Sequence, residues 1–203
     1  MSDTAPGAVA WFNCFAGIAG DMALGSLLNA GADLGEVRSL LDRLPLPGWD
    51  LRDEEALRGG IACTRVVVSG DDVVVRTHGA IAELISAAAL PPRVTERALT
   101  VFQRLAVVES ALHRRPVDQV HFHEVGGHDA VIDIVGTVAA LEVLGVDEMS
   151  ASAVATGSGT VRSASTWVGS VRMCSTWPGR PFFIVTEVTH ASNAPASRAA
   201  ATA

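Results

Sequence analysis

Apolar residues recur along this chain at two spacings, and those spacings predict strands that alternate with helices. An apolar run over 8–15, a glycine turn at 17–20 and an apolar stripe over 22–30 predict a strand, a turn and a helix. Further helices are predicted over 34–44, 80–89, 94–113 and 130–144, and further strands over 61–68, 73–76, 117–125 and 150–155. Such alternation predicts an α/β or α+β fold, with helices packed on a layered sheet.

The pattern changes near Ser163. From there to Ala203 both spacings are lost, and Trp, Ser, Thr, Pro and Gly become frequent before an Ala/Ser-rich end. We therefore expect one folded domain over residues 1–162 and a disordered or irregular tail over 163–203.

Composition narrows the class of partner. The chain has 203 residues with a formal net charge of −7, and all of its basic residues are Arg or His. Because no basic cluster exceeds Arg114–Arg115, we expect no nucleic-acid partner. We also expect no membrane span, because the most apolar stretch is interrupted by acids. Three scattered cysteines and an N-terminus unlike a signal peptide favour the cytoplasm.

The densest group of metal-binding residue types lies between residues 121 and 133. On a strand, His121 and His123 would share one face, whereas Glu124 would point away unless the strand has already ended. After the turn, Asp129 would cap or enter a helix, and Asp133 would follow one turn later. Each residue alone is usually structural, but together they predict a divalent-metal site, whose metal the spacing leaves open.

A neighbouring residue and two glycine turns add weaker signals. His128 lies in the turn and is free to face either way. The turn Gly17–Gly20, followed by Asp21, would place backbone N–H groups where an anion binds, although a tight turn with Asp21 as a cap fits the pattern slightly better. The turn containing Gly157 and Gly159 is read more simply as a loop.

Three segments together resemble a known family. Phe15–Met22 reads F-A-G-I-A-G-D-M, residues 121–136 contain H-F-H-E-V-G followed by Asp129 and D-I-V-G, and residues 157–161 read G-S-G-T-V. In this order they resemble the LarC nickel-insertion family. The resemblance implies CTP-dependent insertion of nickel into a pyridinium bisthiocarboxylic acid mononucleotide, with formation of carbon–nickel and sulfur–nickel bonds. It would make the chain a nickel chelatase of the lyase class.

The resemblance also suggests roles for individual residues. Nickel would bind to His121, His123, Asp129 and Asp133; Asp21 and Glu124 would act in catalysis; Gly17, Gly20, Gly157 and Gly159 would contact the nucleotide. His128 stands where the family usually has a small or apolar residue. After Arg162 the family continues with a segment and a domain that this sequence does not match. We therefore expect a shifted reading frame or a shortened product, complemented by a separately encoded C-terminal domain.

Two other functions stay open at this stage. One is a nickel storage or delivery module without catalysis, and the other is a metal-dependent hydrolase that activates a bound water. The sequence leaves the oligomeric state open, including a homo-oligomer.

Overall fold

The computed structural model describes residues 8–15, 17–70, 75–122 and 125–155, together with three strands within 161–190. The helices are α1 (Gly20–Asn29), α2 (Leu34–Leu41), α3 (His78–Ala87), α4 (Pro92–His113) and α5 (His128–Val143). The strands are β1 (Ala8–Phe12), β2 (Trp49–Arg58), β3 (Ile61–Gly70), β4 (Arg76–Thr77), β5 (His121–Phe122), β6 (Val146–Ala151), β7 (Val161–Arg162), β8 (Val168–Cys174) and β9 (Val185–His190). The fold is mixed α/β, as predicted.

All five predicted helices are present, each within a few residues of its predicted bounds. Asp33 caps α2 by accepting a hydrogen bond from the Glu36 backbone N–H at 2.8 Å. Thr77 caps α3 in the same way through the Ala80 backbone N–H at 3.1 Å. Among the residues that the structure describes, no helix is long and apolar enough to cross a membrane.

The strands pair in small sheets. β1 and β6 are parallel, with Trp11 opposite Ser150, whereas β4 and β5 are antiparallel, with Arg76 opposite Phe122. β2 and β3, of ten residues each, form an antiparallel hairpin that turns at Gly59 and Gly60. The φ angles of these two residues, 57° and 82°, lie in the region that favours glycine.

Two strand predictions were wrong in position or extent, and one strand was not predicted. The unpredicted strand is β2, the hairpin partner of β3, which is so rich in charged residues that its apolar alternation is hidden. Within the predicted strand 117–125, Val117–Gln119 form a 3₁₀ turn instead, and His121–Phe122 form β5, while residues 123 and 124 lie outside the described residues. The last of the predicted strands, expected at 150–155, lies at 146–151 as β6, where its pairing with β1 decides its bounds.

Helix α5 forms the centre of the core. Val131, Ile132, Val135 and Leu141 are each 0% exposed, and α1, α2 and α4 pack around this helix. Its crossing with α1 is close, because a Cβ added to Gly136 would lie 3.0 Å from Leu24 Cδ2. The core therefore holds α1 and α5 at a short, well-defined separation.

The C-terminal segment contains strands that the sequence did not predict. β7, β8 and β9 form a three-stranded antiparallel sheet in that order. The other residues after 155 lie outside the described part of the chain, so the expected irregular tail and the boundary at residue 162 stay predictions.

Candidate functional site

Helix α1 begins directly after the first glycine turn. The Gly17 N–H donates to Cys14 O at 3.0 Å, and the φ of Gly17 is +90°, a conformation that favours glycine. Ala19 precedes the helix in an extended conformation and supplies no side-chain cap. Asp21 lies exposed in the first turn, where its Oδ1 accepts a hydrogen bond from the Met22 N–H at 2.8 Å.

Asp133 approaches this turn from α5. Its side chain is 9% exposed and lies against Gly20, where an added Cβ would be 2.5 Å from Asp133 Oδ2 and 2.7 Å from Asp133 Cβ. Any side chain at position 20 would therefore overlap the Asp133 carboxyl group. The glycine-turn motif and the histidine/aspartate motif meet at this contact, although they lie more than a hundred residues apart in sequence.

The environment of Asp133 favours its protonated form. Burial raises the pKa of this carboxyl to about 7, and the negative charges of Asp129 and Asp21 contribute in the same direction. A hydrogen bond with the Asp21 backbone acts in the opposite direction. Asp133 Oδ1 is buried and has no hydrogen-bond partner among the residues that the structure describes. A proton or a cation at this oxygen would relieve the penalty of burying it unpaired.

His121 lies on the short strand β5. Its side chain is exposed, whereas Phe122 beside it is 1% exposed and packs 6.1 Å, centroid to centroid, from Phe102. The opposite directions of His121 and Phe122 agree with strand alternation. His123 and Glu124 lie outside the described residues, so the expected shared face of the histidine pair stays a prediction.

His128 is buried rather than mobile in the turn. Its Nε2 lies 2.9 Å from Arg76 Nη2, and Arg76 Nη1 donates to Gly126 O at 2.7 Å. Because a guanidinium only donates, His128 Nε2 is the acceptor and the ring proton lies on Nδ1. Position 126 has room only for glycine, because a Cβ added there would contact Phe122 O and lie 3.0 Å from Arg76 N.

Asp129 enters the first turn of α5, as predicted, and Gly127 is the N-cap residue without a side-chain cap. Within the described ranges, which omit His123 and Glu124, no three His, Cys, Asp or Glu side chains are close enough to hold a metal ion. Asp21, Asp129 and Asp133 thus interact through their charges without forming a closed ligand set. Among the described residues, His121 forms no such ligand group with these three carboxylates. The predicted nucleotide contacts Gly157 and Gly159 lie outside the described residues.

Comparison with known proteins places this chain in a family. The sequence profile of the family described as nickel insertion protein matches residues 10–169. The chain belongs to this nickel insertion family. The match contains the glycine turn, the meeting of Asp21 with Asp133, and the whole segment 121–136.

Individual relatives agree with the family match. A Roseiflexus castenholzii protein named for nickel insertion is 47% identical over 157 residues, which is 77% of this chain and 40% of the relative. A Desulfitobacterium hafniense protein named as a pyridinium-3,5-bisthiocarboxylic acid mononucleotide nickel insertion protein is 39% identical over 156 residues. That match covers 76% of this chain and 39% of the relative. No solved structure matches the chain.

The chain therefore spans about two fifths of the length of the family members that it matches. One contributor to the site was not found from the sequence: Arg76, which anchors the Gly126–His128 turn from β4. Nothing in its local sequence distinguishes it, because its two acceptors lie some fifty residues away.

Proposed function

We propose that this chain forms the N-terminal part of a protein that inserts nickel into pyridinium-3,5-bisthiocarboxylic acid mononucleotide. The observation that carries the proposal is the meeting of Asp21, Asp129 and buried Asp133 inside the segment that matches the nickel insertion family. The printed names of the Desulfitobacterium hafniense relatives support this substrate.

Nickel is a substrate here, and the carboxylates would receive it. Burial and, after it, the negative charges of Asp129 and Asp21 raise the pKa of Asp133, so a divalent cation that neutralises those two charges would favour loss of the Asp133 proton. Metal binding would then release a proton at neutral pH. The cation would also satisfy Asp133 Oδ1, which finds no partner among the described residues.

The histidines would complete the ligand set. Imidazole nitrogen suits nickel as well as zinc and copper, and His121 is already exposed on β5. In this proposal, nickel binding draws His121 and His123 toward Asp129 and Asp133. Arg76 and His128 do not bind the metal but hold the turn that joins β5 to α5.

The direction of transfer follows from ligand chemistry. Carboxylate and imidazole ligands release a borderline metal more readily to soft sulfur ligands, and the substrate offers two sulfur-bearing groups. A carbon–nickel bond replaces a carbon–hydrogen bond, so a base must accept one proton. We assign that role to Glu124 or Asp21. The turn Gly17–Gly20 would approach the nucleotide phosphate, with Gly157 and Gly159 contributing nearby and CTP serving as co-substrate.

Equilibrium dialysis with Ni²⁺ tests the carboxylate assignment. We expect an Asp129→Asn/Asp133→Asn variant to bind nickel at least about tenfold more weakly than the unchanged chain. The matched control is Asp53→Asn/Glu55→Gln, which removes the same charge from exposed positions of β2. Equal nickel affinity in the two double variants would reject the site. In a separate arm, unchanged nickel stoichiometry in His121→Ala/His123→Ala would remove the histidines from the ligand set.

A second function, nickel delivery without completion of the chemistry, would use the same acidic side chains. The chain would then bind nickel but form no product from nickel, CTP and the mononucleotide. Product formation by the chain alone would reject the delivery function and support complete insertion.

A further inference from the structure

Strand β1 has one unpaired edge. Within the described residues it pairs with β6 alone, so its other row of N–H and C=O groups has no strand partner there. Parallel strands usually lie inside larger sheets that are covered on both faces. The strand reads A-V-A-W-F and carries none of the charges or prolines that normally protect an exposed edge.

The side chains around this edge are unusually apolar for a surface. Val9 is 63% exposed and Trp11 is 64% exposed, whereas Ala10 and Phe12 alternate with them and pack against the core. Phe15 follows the strand and is 77% exposed. In a chain with only 5% aromatic residues, two exposed aromatics in one short segment indicate a contact surface.

A cleft runs beside the strand. Its volume is about 460 Å³, and it lies between β1 and the side of α1 that carries Met22, Ser26 and Ala30. Leu27 and Leu144 also line it. A strand of five residues extends over roughly 17 Å, so an added segment of that length would pair with all of β1 while alternate side chains entered the cleft.

The path of the chain after β6 leads to the same place. The Ser152 N–H donates to Phe12 O at 2.9 Å, and the Ala155 N–H donates to Cys14 O at 3.0 Å. Residues 152–155, which follow β6, therefore lie beside the carboxyl end of β1. A polypeptide continuing from that point would have a high local concentration at the cleft.

We propose that the β1 edge and its cleft receive an extended segment, with apolar residues at alternate positions, from the part of nickel insertion proteins that follows the matched region. That part is large, because the match covers only 40% of the Roseiflexus castenholzii relative. The inference rests on the proposed function, in which this chain acts together with that part. Its main chain would pair with Ala8–Phe12, and its apolar side chains would cover Trp11.

Hydrogen exchange compares this chain with the intact Roseiflexus castenholzii relative. After correction for intrinsic rates, we expect the outward-facing amides of Ala8–Phe12 to exchange at least about tenfold faster here than the aligned amides of the relative. Amides within 131–141 should be slow in both proteins, and those at the hairpin tip near Gly59 fast in both. Equally fast exchange of the strand in both proteins would overturn the proposal.

Slow exchange in this chain would also overturn it, and dilution would identify the actual occupant. A second copy of the chain would dissociate on dilution, whereas residues 156–203 of the same chain would protect the strand at every concentration. These readings do not involve nickel. Failure of the docking proposal is therefore distinguishable from failure of nickel binding.

A variant pair makes the test specific. Glutamate placed in the intact relative at the position aligned with Trp11 should restore fast exchange of the strand. Glutamate at the position aligned with Ile61, which is 73% exposed here at the hairpin tip, is the control and should change nothing. Retained protection of the 131–141 region shows that each variant is folded. A protected strand in the first variant would reject the cleft as the docking surface.

Discussion

Helix α1 has two sides that differ sharply in packing. On the α5 side, Gly20 touches the Asp133 carboxyl and Leu24 touches Gly136, with no room for an added methyl group at Gly20. On the β1 side, Met22 and Ala30 border an open cleft of about 460 Å³. One face of this short helix is therefore tightly packed, and the other borders a cleft.

The difference shows where each kind of residue is needed. The closed side brings together the acidic groups of the candidate site, so its geometry must be held by the core. The open side faces β1, where the exposed side chains Trp11 and Phe15 bury little surface and so contribute little to the stability of this chain. Changes on the two sides should therefore have very different effects.

The largest effect that does not depend on pH is expected for Gly20→Ala. The new Cβ would overlap buried Asp133, so we expect a loss of about 2 kcal/mol in the free energy of unfolding, measured by urea denaturation. Gly79→Ala is the control, because its nearest neighbour would be 3.9 Å away in helix α3. That variant should be unchanged or more stable by up to about 1 kcal/mol. Equal stability of the two variants would mean that the α1–α5 contact is loose.

A pH-dependent effect is expected for Asp133→Asn. The pKa of Asp133 is raised from 3.8 to about 7, so the folded state holds this proton more tightly than the unfolded state. The wild-type chain should therefore lose stability as pH rises from about 4 to about 7, and the variant should not. At pH 8 in a metal-free buffer, we expect the variant to be more stable by up to about 4 kcal/mol, because each unit of pKa difference corresponds to about 1.4 kcal/mol, with no difference below pH 4.

Denaturation at several pH values measures this difference. Asp53→Asn, an exposed change on β2, is the control and should shift stability by less than about 0.5 kcal/mol throughout. A constant difference between Asp133→Asn and the unchanged chain from pH 4 to pH 8 would contradict the raised pKa.

The smallest effect is expected on the open side. A Val9→Thr/Trp11→Thr variant places β-branched residues at both positions and removes mainly exposed apolar surface. We expect the free energy of unfolding of this chain to change by less than about 0.5 kcal/mol, measured by thermal and urea denaturation. A loss well above 1 kcal/mol would show that another part of this chain already covers the strand.

The sequence predicted the helices well because their signals are local. Apolar stripes mark α4 and α5, and prolines after α2 and before α4 mark where helical structure stops or starts. The charged strand β2 was missed, since its pairing with β3 is set by the partner rather than by its own alternation.

The candidate site was predictable only in part. The spacing of Asp129 and Asp133 places both on one side of a helix, which is a local consequence of helical geometry. Their contact with Gly20 and Asp21 depends on how α1 packs against α5, and the anchoring of His128 depends on Arg76 from another element. Neither contact has a signature in local sequence.

The sequence by itself determined the helical elements, the motif residues and the resemblance to nickel insertion proteins, because residue type and spacing along one segment decide these features. The tertiary structure alone decided that Asp133 is buried, that its pKa is raised, and that Asp21 is close enough to contribute. Among the described residues, it also left one edge of β1 without a strand partner. Burial and long-range charge depend on which elements pack together, and that information is spread over the whole chain.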